Sequence, residues 1–418
     1  MFEPLEPTGG GLLPDRGRWR NAVNLLLCAA GAAGVALGGW ALYDTYQTHQ
    51  DRAASRALIT RACAGLVDAE AVMELHGGAD RVVPGTRWPA TVDFDTVPDG
   101  CVLSRLRDRD GRDEEFPQFT LELKGLPLER ALHLTPDSRD NTPFPRGRSR
   151  DDATARTRLP DRMPLGDGRL GDYGPDDVTV VARCEQPARH GMTSLIVTAA
   201  SPGTGHEATD RPVLARLARL AAERAAAAYG CRTALPALPS ALPAPVTGLG
   251  PAGDRADSCG WYAAHARTAG HDRLPDRSAG VPLGGGAREE GCLLGVSPAA
   301  TERILGLLPR EEREDAATSA WLGPWWLRTR TYFGDDAAAV AVPARYAPDP
   351  VVPGRAGRTG DVLYGSMSCQ GRPATLTLTG PHHYRAVLGA RLDEVFRAYA
   401  ADAAARRGCE GLVLPPPE

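Results

Sequence analysis

The 418-residue chain has almost no lysine and few aromatic residues. Lys124 is the single lysine, while Lys and Arg together number 48, so nearly every cation is an arginine. Asp and Glu number 52, which gives a formal net charge of −4 and argues against a basic, nucleic-acid-binding surface. Aromatic residues make up 6% of the chain, against 47 glycines and 36 prolines. This composition is typical of a high-GC bacterium and predicts a loop-rich fold with small cores.

The sequence also lacks the short motifs that mark common active sites. No G-x-S-x-G, H-E-x-x-H or C-x-x-C pattern occurs. The glycine-rich segments at Gly248 and Gly284 lie in predicted loops rather than between a strand and a helix, so neither predicts a phosphate-binding loop. DRDGRDEE at Asp108 has its glycine at the fourth rather than the sixth position of a calcium loop, and is interpreted as a charged hairpin tip. We predict no catalytic residue, no metal ligand and no cofactor. A catalytic pair of carboxylates that is formed only in the folded structure stays an open alternative.

One uncharged stretch near the start is the most informative feature. Asn21 to Tyr43 reads NAVNLLLCAAGAAGVALGGWALY and contains no Asp, Glu, Lys, Arg or His. As a helix this segment rises roughly 34 Å, enough to cross a hydrocarbon core of about 30 Å. We predict a transmembrane helix at residues 21–43. Arg16, Arg18 and Arg20 precede it, so the positive-inside bias makes residues 1–20 a cytoplasmic tail and places the C-terminal bulk outside the cell.

Three other interpretations of the apolar run stay open. A cleaved signal peptide has a shorter core and a small-residue cleavage site, which does not follow closely here. A lipoprotein would carry a small residue before its lipidated cysteine, whereas Leu27 precedes Cys28. A buried helix of a soluble protein would not need the flanking charges. Gly34 and Gly38 form G-x-x-x-G, the spacing at which two membrane helices pack closely, so a homodimer through this helix is among the expected partners.

The cysteines indicate an oxidising compartment. Eight of the nine follow the apolar run: Cys63, Cys101, Cys184, Cys231, Cys259, Cys292, Cys369 and Cys409. An even number outside the cytoplasm favours disulfides. Successive separations are 38, 83 and 47 residues in the first four, and 33, 77 and 40 in the last four. The similar spacing predicts the pairs Cys63–Cys101, Cys184–Cys231, Cys259–Cys292 and Cys369–Cys409, although sequence alone leaves three pairings open for each set of four.

The segments around the later cysteines of each set follow the same order. The stretches that begin at Asp177 and Asp361 each read as two β-strands joined by a polar turn, with a cysteine at the end of the first strand. A helix-period pattern follows in both cases, and each helix ends in Gly-Cys, at Gly230 and Gly408. The agreement in order, spacing and helix ends predicts an internal repeat.

We therefore predict an α+β fold, in which one N-terminal transmembrane helix is followed by two tandem, related α+β units with antiparallel sheets. The first extracytoplasmic unit covers residues 44–232 and the second covers residues 233–418. Expected elements include an opening helix at 53–76, a long loop at 135–176 and a strand at 259–264. The alternative is a pair of unrelated strand–strand–helix units in a compositionally biased chain.

Two short segments resemble actinobacterial cell-surface and lipoprotein-like families of unknown function. CAGLVDAEAV at Cys63 is similar to their opening helix, C-x-x-L-x-x-x-E-[AV], and CGW at Cys259 is similar to their C-x-W strand. This chain departs from the pattern at Cys101, which is followed by Val-Leu, and it has no lipobox. The resemblance implies no activity.

Trp321, Trp325 and Trp326 form the densest aromatic cluster and are the candidate binding residues, as an exposed platform for a ligand or glycan. The alternative is core packing, since adjacent residues of a strand point to opposite faces.

The apolar run, the cysteines and the lack of catalytic motifs together predict a single-pass membrane protein. Its ectodomain is expected to be a non-catalytic interaction or ligand-binding module at the bacterial envelope. Expected partners are the membrane and another envelope protein or a glycan, and no nucleic acid. An extracytoplasmic enzyme acting on cell-wall material is the alternative, and a signalling subunit working through the helix is a third.

Overall fold

The computed structural model describes residues 18–85, 91–109, 112–126, 132–133, 142–145, 152–202, 210–253, 255–270, 272–343, 349–359 and 362–417. Most of the predicted cytoplasmic tail and parts of the predicted loop at 135–176 lie outside these residues. The chain divides into two compact units, Met1–Ala57 and Leu58–Glu418.

The first unit contains most of one long helix, α1, which spans Arg18–Ala62. From Asn21 onward this helix is long and apolar enough to cross a membrane, with a mean hydropathy of 1.9 over an 18-residue stretch. The apolar side chains of residues 21–43 are exposed, with Leu25, Leu37 and Leu42 between 70% and 76% accessible. An N-terminal helix with these properties is compatible with a membrane anchor or a signal sequence.

The second unit combines helices with mainly antiparallel sheets, which confirms the predicted α+β class. Its further helices are α2 Ala69–Glu74, α3 Asp210–Tyr229, α4 Gly260–Ala269, α5 Pro298–Leu307, α6 Arg310–Leu322, α7 Asp335–Ala339, α8 His382–Leu388 and α9 Arg391–Arg407. Short 3-10 helices cover Leu75–Gly77, Ala153–Ala155 and Arg189–Gly191. The strands are β1 Val82–Pro84, β2 Asp99–Arg109, β3 Arg112–Leu126, β4 Leu132–His133, β5 Met163–Pro164, β6 Gly171–Tyr173, β7 Asp177–Arg183, β8 Ser194–Ala200, β9 Gly250–Pro251, β10 Arg277–Gly280, β11 Glu289–Gly295, β12 Trp326–Phe333, β13 Val340–Val342, β14 Asp349–Pro350, β15 Gly357–Thr359, β16 Val362–Cys369, β17 Arg372–Thr379 and β18 Cys409–Val413.

The first sheet lies in residues 58–232, which we call the first half. Its seven strands are antiparallel in the order β1-β2-β3-β8-β7-β6-β5, and α3 packs on β7 and β8. Leu214 and Leu217 recur at helical spacing on α3 and are buried with Val180 and Val197 of the two strands. This apolar stripe, rather than helix propensity alone, stabilises α3 in place.

The second sheet lies in residues 233–417, which we call the second half. Its strands are antiparallel in the order β15-β16-β17-β12-β11-β10-β9, and β18 pairs with the last residues of β16. Tyr262 of α4 and Phe396 of α9 are buried with Leu376 against one face. The other face buries Trp326 together with Phe144, which comes from the first half.

A third, small sheet also joins the halves. Its order is β14-β13-β4, and β13 of the second half pairs in parallel with β4 of the first. The chain between β3 and β5 reaches across to the second half in two places, through β4 and through Phe144 of the predicted loop region.

Four central strands follow one another in the same order in both large sheets: β2-β3-β8-β7 in the first and β11-β12-β17-β16 in the second. The disulfides are Cys63–Cys101, Cys184–Cys231, Cys259–Cys292 and Cys369–Cys409, the pairs predicted from their spacing. In each half, the first disulfide joins a helix end to the first of these strands. The second disulfide joins the end of a hairpin strand to the residues after the long helix.

Three predicted elements were wrong in detail. The opening helix at 53–76 is interrupted, because α1 ends at Ala62 and α2 begins only after Asp68, whose side chain caps it. The CGW segment predicted as a strand at 259–264 begins helix α4, since Tyr262 and Ala266 are buried at a spacing of one helical turn. The region 135–176 contains the short strands β5 and β6 at the edge of the first sheet.

Candidate functional site

A cavity of about 410 Å³ lies between the two halves, and we call it the cleft. The first half contributes the end of the β7–β8 hairpin, with Arg183 and Ser194 paired across the two strands. The second half contributes the end of the β16–β17 hairpin, where Cys369 pairs with Arg372. Equivalent hairpins in the two strand orders therefore meet at this cavity.

A glycine-rich loop before β11 forms another wall of the cleft. The amide of Gly286 donates a 2.8 Å hydrogen bond to the carbonyl of Asp167 in the first half. A Cβ at Gly286 would lie 2.3 Å from Cγ of Arg169, and one at Gly168 would lie 2.6 Å from Cα of Ala287. Only glycine permits this approach of two backbones, so the loop that the sequence left without a role holds the halves together.

Arg407, from the last turn of α9, fixes the same loop from the other side. It donates to the carbonyls of Gly285, at 2.8 Å, and Gly284, at 2.5 Å, and it forms an ion pair with Glu290. Its guanidinium also lies 4.8 Å from the centre of the Phe333 ring. These contacts use most of the hydrogen-bond donors of Arg407, so this side chain shapes the wall of the cleft and has few donors left for a ligand.

Arg288 is held in a similar way by a neighbouring carboxylate. Two of its nitrogens lie 2.6 Å from the two oxygens of Asp336, and both side chains are largely buried. Burial alone would lower the pKa of Arg288, but the charge and hydrogen bonds of Asp336 raise it. This fork-to-fork pair is a rigid and internally neutral part of the wall.

Arg372 and Arg183 are the two arginines of the described lining whose side chains form no ion pair shorter than 3.5 Å with a described residue. Arg372 is 54% exposed and lies 3.6 Å from Asp335, itself 48% exposed, in a solvent-screened pair. The side chain of Arg183 is exposed and forms no hydrogen bond or ion pair with any residue that the structure describes. Partial burial, followed by the charges of Arg372 and Arg288, lowers the pKa of Arg183, against the opposing carboxylates.

The lining of the cleft carries an excess of positive charge. Among the described residues, arginines 169, 183, 288, 372 and 407 line it together with aspartates 335 and 336. The formal charge of this lining is positive, whereas that of the whole chain is −4. A concave surface with one sign of charge concentrates ligands of the opposite sign.

The three tryptophans of the predicted binding cluster lie in different environments. Trp325 is 2% exposed, its ring stacks on Tyr384 at 5.2 Å, and its indole nitrogen donates to Ser319. Trp326 is 3% exposed on the opposite face of the same sheet. Trp321 is 60% exposed on α6. The structure thus places one of these rings on the surface, and a binding role for it stays a prediction.

A serine–histidine contact in the first half has the spacing of a catalytic pair but not its surroundings. Ser201 Oγ lies 2.6 Å from His76 Nε2, and Asp210 accepts a hydrogen bond from the backbone amide of His76. Ser201 is fully buried, and its hydroxyl also lies 3.1 Å from the carbonyl oxygen of Gln118, which can only accept a hydrogen bond. Because the hydroxyl is buried between two hydrogen-bond partners, this contact stabilises the junction of β8 with the residues after α2.

A buried charge cluster ties the loop before β5 to the second sheet. Asp161 is 3% exposed as a side chain and lies 3.3 Å from Arg328 and 3.1 Å from Arg330. Arg330 also pairs with Glu289 at 3.0 Å, and Arg328 donates to the carbonyl of Leu159. Burial raises the pKa of the Glu289 carboxyl, although the neighbouring Arg330 opposes this. The cluster is neutral as a whole, as buried charges require.

No match was found between this chain and any protein-family model, curated protein or solved structure. Within the described part of the chain, no group of three or more His, Cys, Asp or Glu side chains is placed to hold a metal ion. The properties of the cleft therefore come from its own residues. Sequence reasoning missed these residues because arginine is abundant throughout the chain, and five scattered arginines form no recognisable motif.

Proposed function

We propose that the protein is a single-pass, membrane-anchored envelope protein whose C-terminal bulk lies outside the cytoplasm and binds a ligand without catalysing a reaction. In this proposal residues 1–20 are a cytoplasmic tail and residues 21–43 cross the membrane. Residues 44–232 and 233–418 form the extracytoplasmic part. The cleft between the halves is the observation that carries the binding role.

The N-terminal helix and the disulfides support an extracytoplasmic placement. The chain has four disulfides. Disulfides persist in oxidising compartments and are rare in the cytosol. The cysteine of the membrane segment, Cys28, is exposed and unpaired, as expected of a residue that faces lipid rather than an oxidising solvent. The arginines before residue 21 favour the orientation with the C-terminal bulk outside.

We also propose that the two halves arose by duplication of one unit. The shared order of four strands, the matching disulfides and the long helix that ends in Gly-Cys in each half support this relation. We keep the relationship to actinobacterial cell-surface families as part of the proposal, on the segments at Cys63 and Cys259. A homodimer through Gly34 and Gly38 and contacts with an envelope protein or glycan through Trp321 belong to it as well.

A non-catalytic role agrees with the lining of the cleft. Among the described residues that line it there is no histidine, and Asp336 is neutralised by Arg288. The one serine, Ser194, is buried and has no base beside it in the described lining. Binding without chemistry is the activity that a charged cavity of this kind supports directly.

The single lysine provides a sharp test of the proposed orientation. Lys124 is 43% exposed, so a membrane-impermeant amine reagent applied to intact cells should label it if the second unit lies outside. The N-terminal amine should stay unlabelled until the cells are broken open. Lys124→Arg is the control and should abolish the label. Labelling of the N-terminus alone in intact cells would indicate the opposite orientation. Protection of both amines in intact cells would refute an extracellular location of Lys124.

The binding role is tested by filling the cleft. Gln370 is exposed in the β16–β17 turn and lines the cleft, so Gln370→Trp should place a large ring at the site. His190, an exposed residue of positive φ in the β7–β8 turn, lies outside the described lining and supplies the control His190→Trp. Full-length protein in neutral detergent should retain solubilised envelope material, measured by co-sedimentation, and only Gln370→Trp should lose it. Equal retention by both variants would refute the cleft as the binding site, and a change in the mass of the retained material would indicate an enzyme.

A further inference from the structure

We propose that the ligand of the cleft is a multiply charged oxyanion group, of the phosphate or carboxylate type, bound between Arg183 of the first half and Arg372 of the second. This inference rests on the proposed binding function and names the chemistry of its ligand. Both arginines lie at the ends of paired hairpin strands, so their backbones are fixed, while their side chains remain exposed.

The remaining charges of the wall explain why these two arginines carry the site. The charge of Arg288 is neutralised by Asp336, and Arg407 is held by the glycine loop and neutralised by Glu290. Arg169 pairs with Asp167 in an exposed contact of 2.9 Å, 69% and 52% accessible. Arg183 has no such partner among the described residues, and a guanidinium offers five donors suited to planar or tetrahedral oxyanions.

The backbone around Arg372 is shaped for its side chain. Gly334 has a φ of +63°, and a Cβ there would lie 2.5 Å from Nη2 of Arg372. The amide of Gly334 donates to the carbonyl of Pro373 at 2.8 Å, which fixes the turn against β17. The guanidinium of Arg372 therefore lies directly over a residue without a side chain, at the wall of the cleft.

Asp335 acts as an internal competitor for the ligand. It lies 3.6 Å from Arg372, which is a loose ion pair rather than a saturated one. An oxyanion that reaches Arg372 must replace this carboxylate or share the guanidinium with it. Removing the charge of Asp335 should consequently strengthen binding, an effect that a merely structural arginine pair would not produce.

The test measures anion affinity by titration calorimetry on the full-length protein in neutral detergent. The probes are inorganic phosphate, pyrophosphate and citrate, which separate single from multiple charge and phosphate from carboxylate chemistry. We expect pyrophosphate or citrate to bind more tightly than inorganic phosphate, and the affinity to fall as NaCl rises. Arg183→Gln and Arg372→Gln should each weaken binding about tenfold or more. Asp335→Asn should tighten it about threefold.

Control variants separate this inference from the proposed function. Arg216→Gln, exposed on α3 and outside the described lining, makes the same change of charge and should leave the affinity unaltered. Equal weakening by Arg216→Gln, or no tightening by Asp335→Asn, would overturn the assignment of the anion site. If Gln370→Trp abolishes retention of envelope material while Arg183→Gln and Arg372→Gln leave it intact, the binding role stands and the anionic ligand is refuted. If neither retention nor anion binding depends on the cleft, both fail together.

Discussion

Asp161 provides the strongest test of how the two halves are held together. Its carboxylate is almost fully buried and contacts Arg328 at 3.3 Å and Arg330 at 3.1 Å, both from β12. Gly291 of β11 makes room for it, since a Cβ there would lie 2.5 Å from the carboxyl carbon. Asp161→Asn keeps the shape of the side chain but leaves the buried cluster with one uncompensated positive charge.

The expected cost is large because Arg328 is 7% exposed as a side chain and cannot recover water. Removing one partner of a buried ion pair costs about 3–5 kcal/mol of unfolding free energy. The exposed pair Arg81–Asp113, at 3.0 Å and with side chains 47% and 46% accessible, is the matched control. Asp113→Asn should cost only about 0.2–1 kcal/mol.

Equilibrium unfolding in urea, with the disulfides intact, measures both costs. Tryptophan fluorescence is a suitable signal, because Trp326 lies on the same strand as Arg328. The double variant Asp161→Leu, Arg328→Met should lose less stability than Asp161→Asn alone, because it removes both members of the buried pair. If Asp161→Asn costs no more than Asp113→Asn, the buried cluster does not stabilise the contact between the halves and this reasoning is refuted.

Three further predictions address other parts of the fold. Replacing Cys184 and Cys231 together by Ser opens a 47-residue loop and should cost about 4 kcal/mol in urea unfolding; unchanged stability would contradict the chain-entropy argument. Gly168→Ala should destabilise the protein more than Gly166→Ala in the same assay. Both glycines have a positive φ, but only a Cβ at Gly168 would meet a neighbouring backbone. Equal losses of stability would refute the close approach of the two backbones as the reason for Gly168. Burial, and then Arg391, lowers the pKa of His265 against the opposing Glu394. The folded state therefore binds its proton more weakly than the unfolded state, and stability present above the ordinary pKa of about 6.5 is lost as pH falls through the lower folded value. His265→Gln should lose less stability than the wild type between pH 7 and pH 5 in thermal unfolding, and parallel curves would exclude this group.

The elements that local patterns define were predicted well from the sequence. The hairpin that ends at Cys369 and the helix that ends before Gly408 follow from alternation, helical period and a glycine with a φ of +59°. The predicted disulfide pairs are confirmed; the similar spacing of the two sets predicted similar pairing in each half, although it left three pairings open for each set. Helix α4 was missed because CGW was interpreted through its resemblance to a strand, while the helical spacing of Tyr262 and Ala266 was overlooked.

Contacts between distant segments could not be predicted in this way. The parallel pairing of β4 with β13 involves two residues on each side, too few for a recognisable pattern. Phe144 fills the second face of the second sheet from a loop whose sequence is rich in charge and proline. Gly168 and Gly286 were visible as glycines, but the close approach that requires them exists only once the halves are in contact.

The proposed anion site has no counterpart within the proposed repeat. If the halves derive from one unit, as proposed, Cys184 corresponds to Cys369, so the position of Arg183 corresponds to Ser368. The two hairpins that meet at the cleft thus share strand order and disulfide but not the side chain that faces the ligand. Arg372 lies on the other strand of its hairpin, opposite Cys369. If both halves form the site, one copy of each contact is enough, so divergence at these positions agrees with the proposed duplication. A comparison of one half with the other would then miss the residues that we propose for binding.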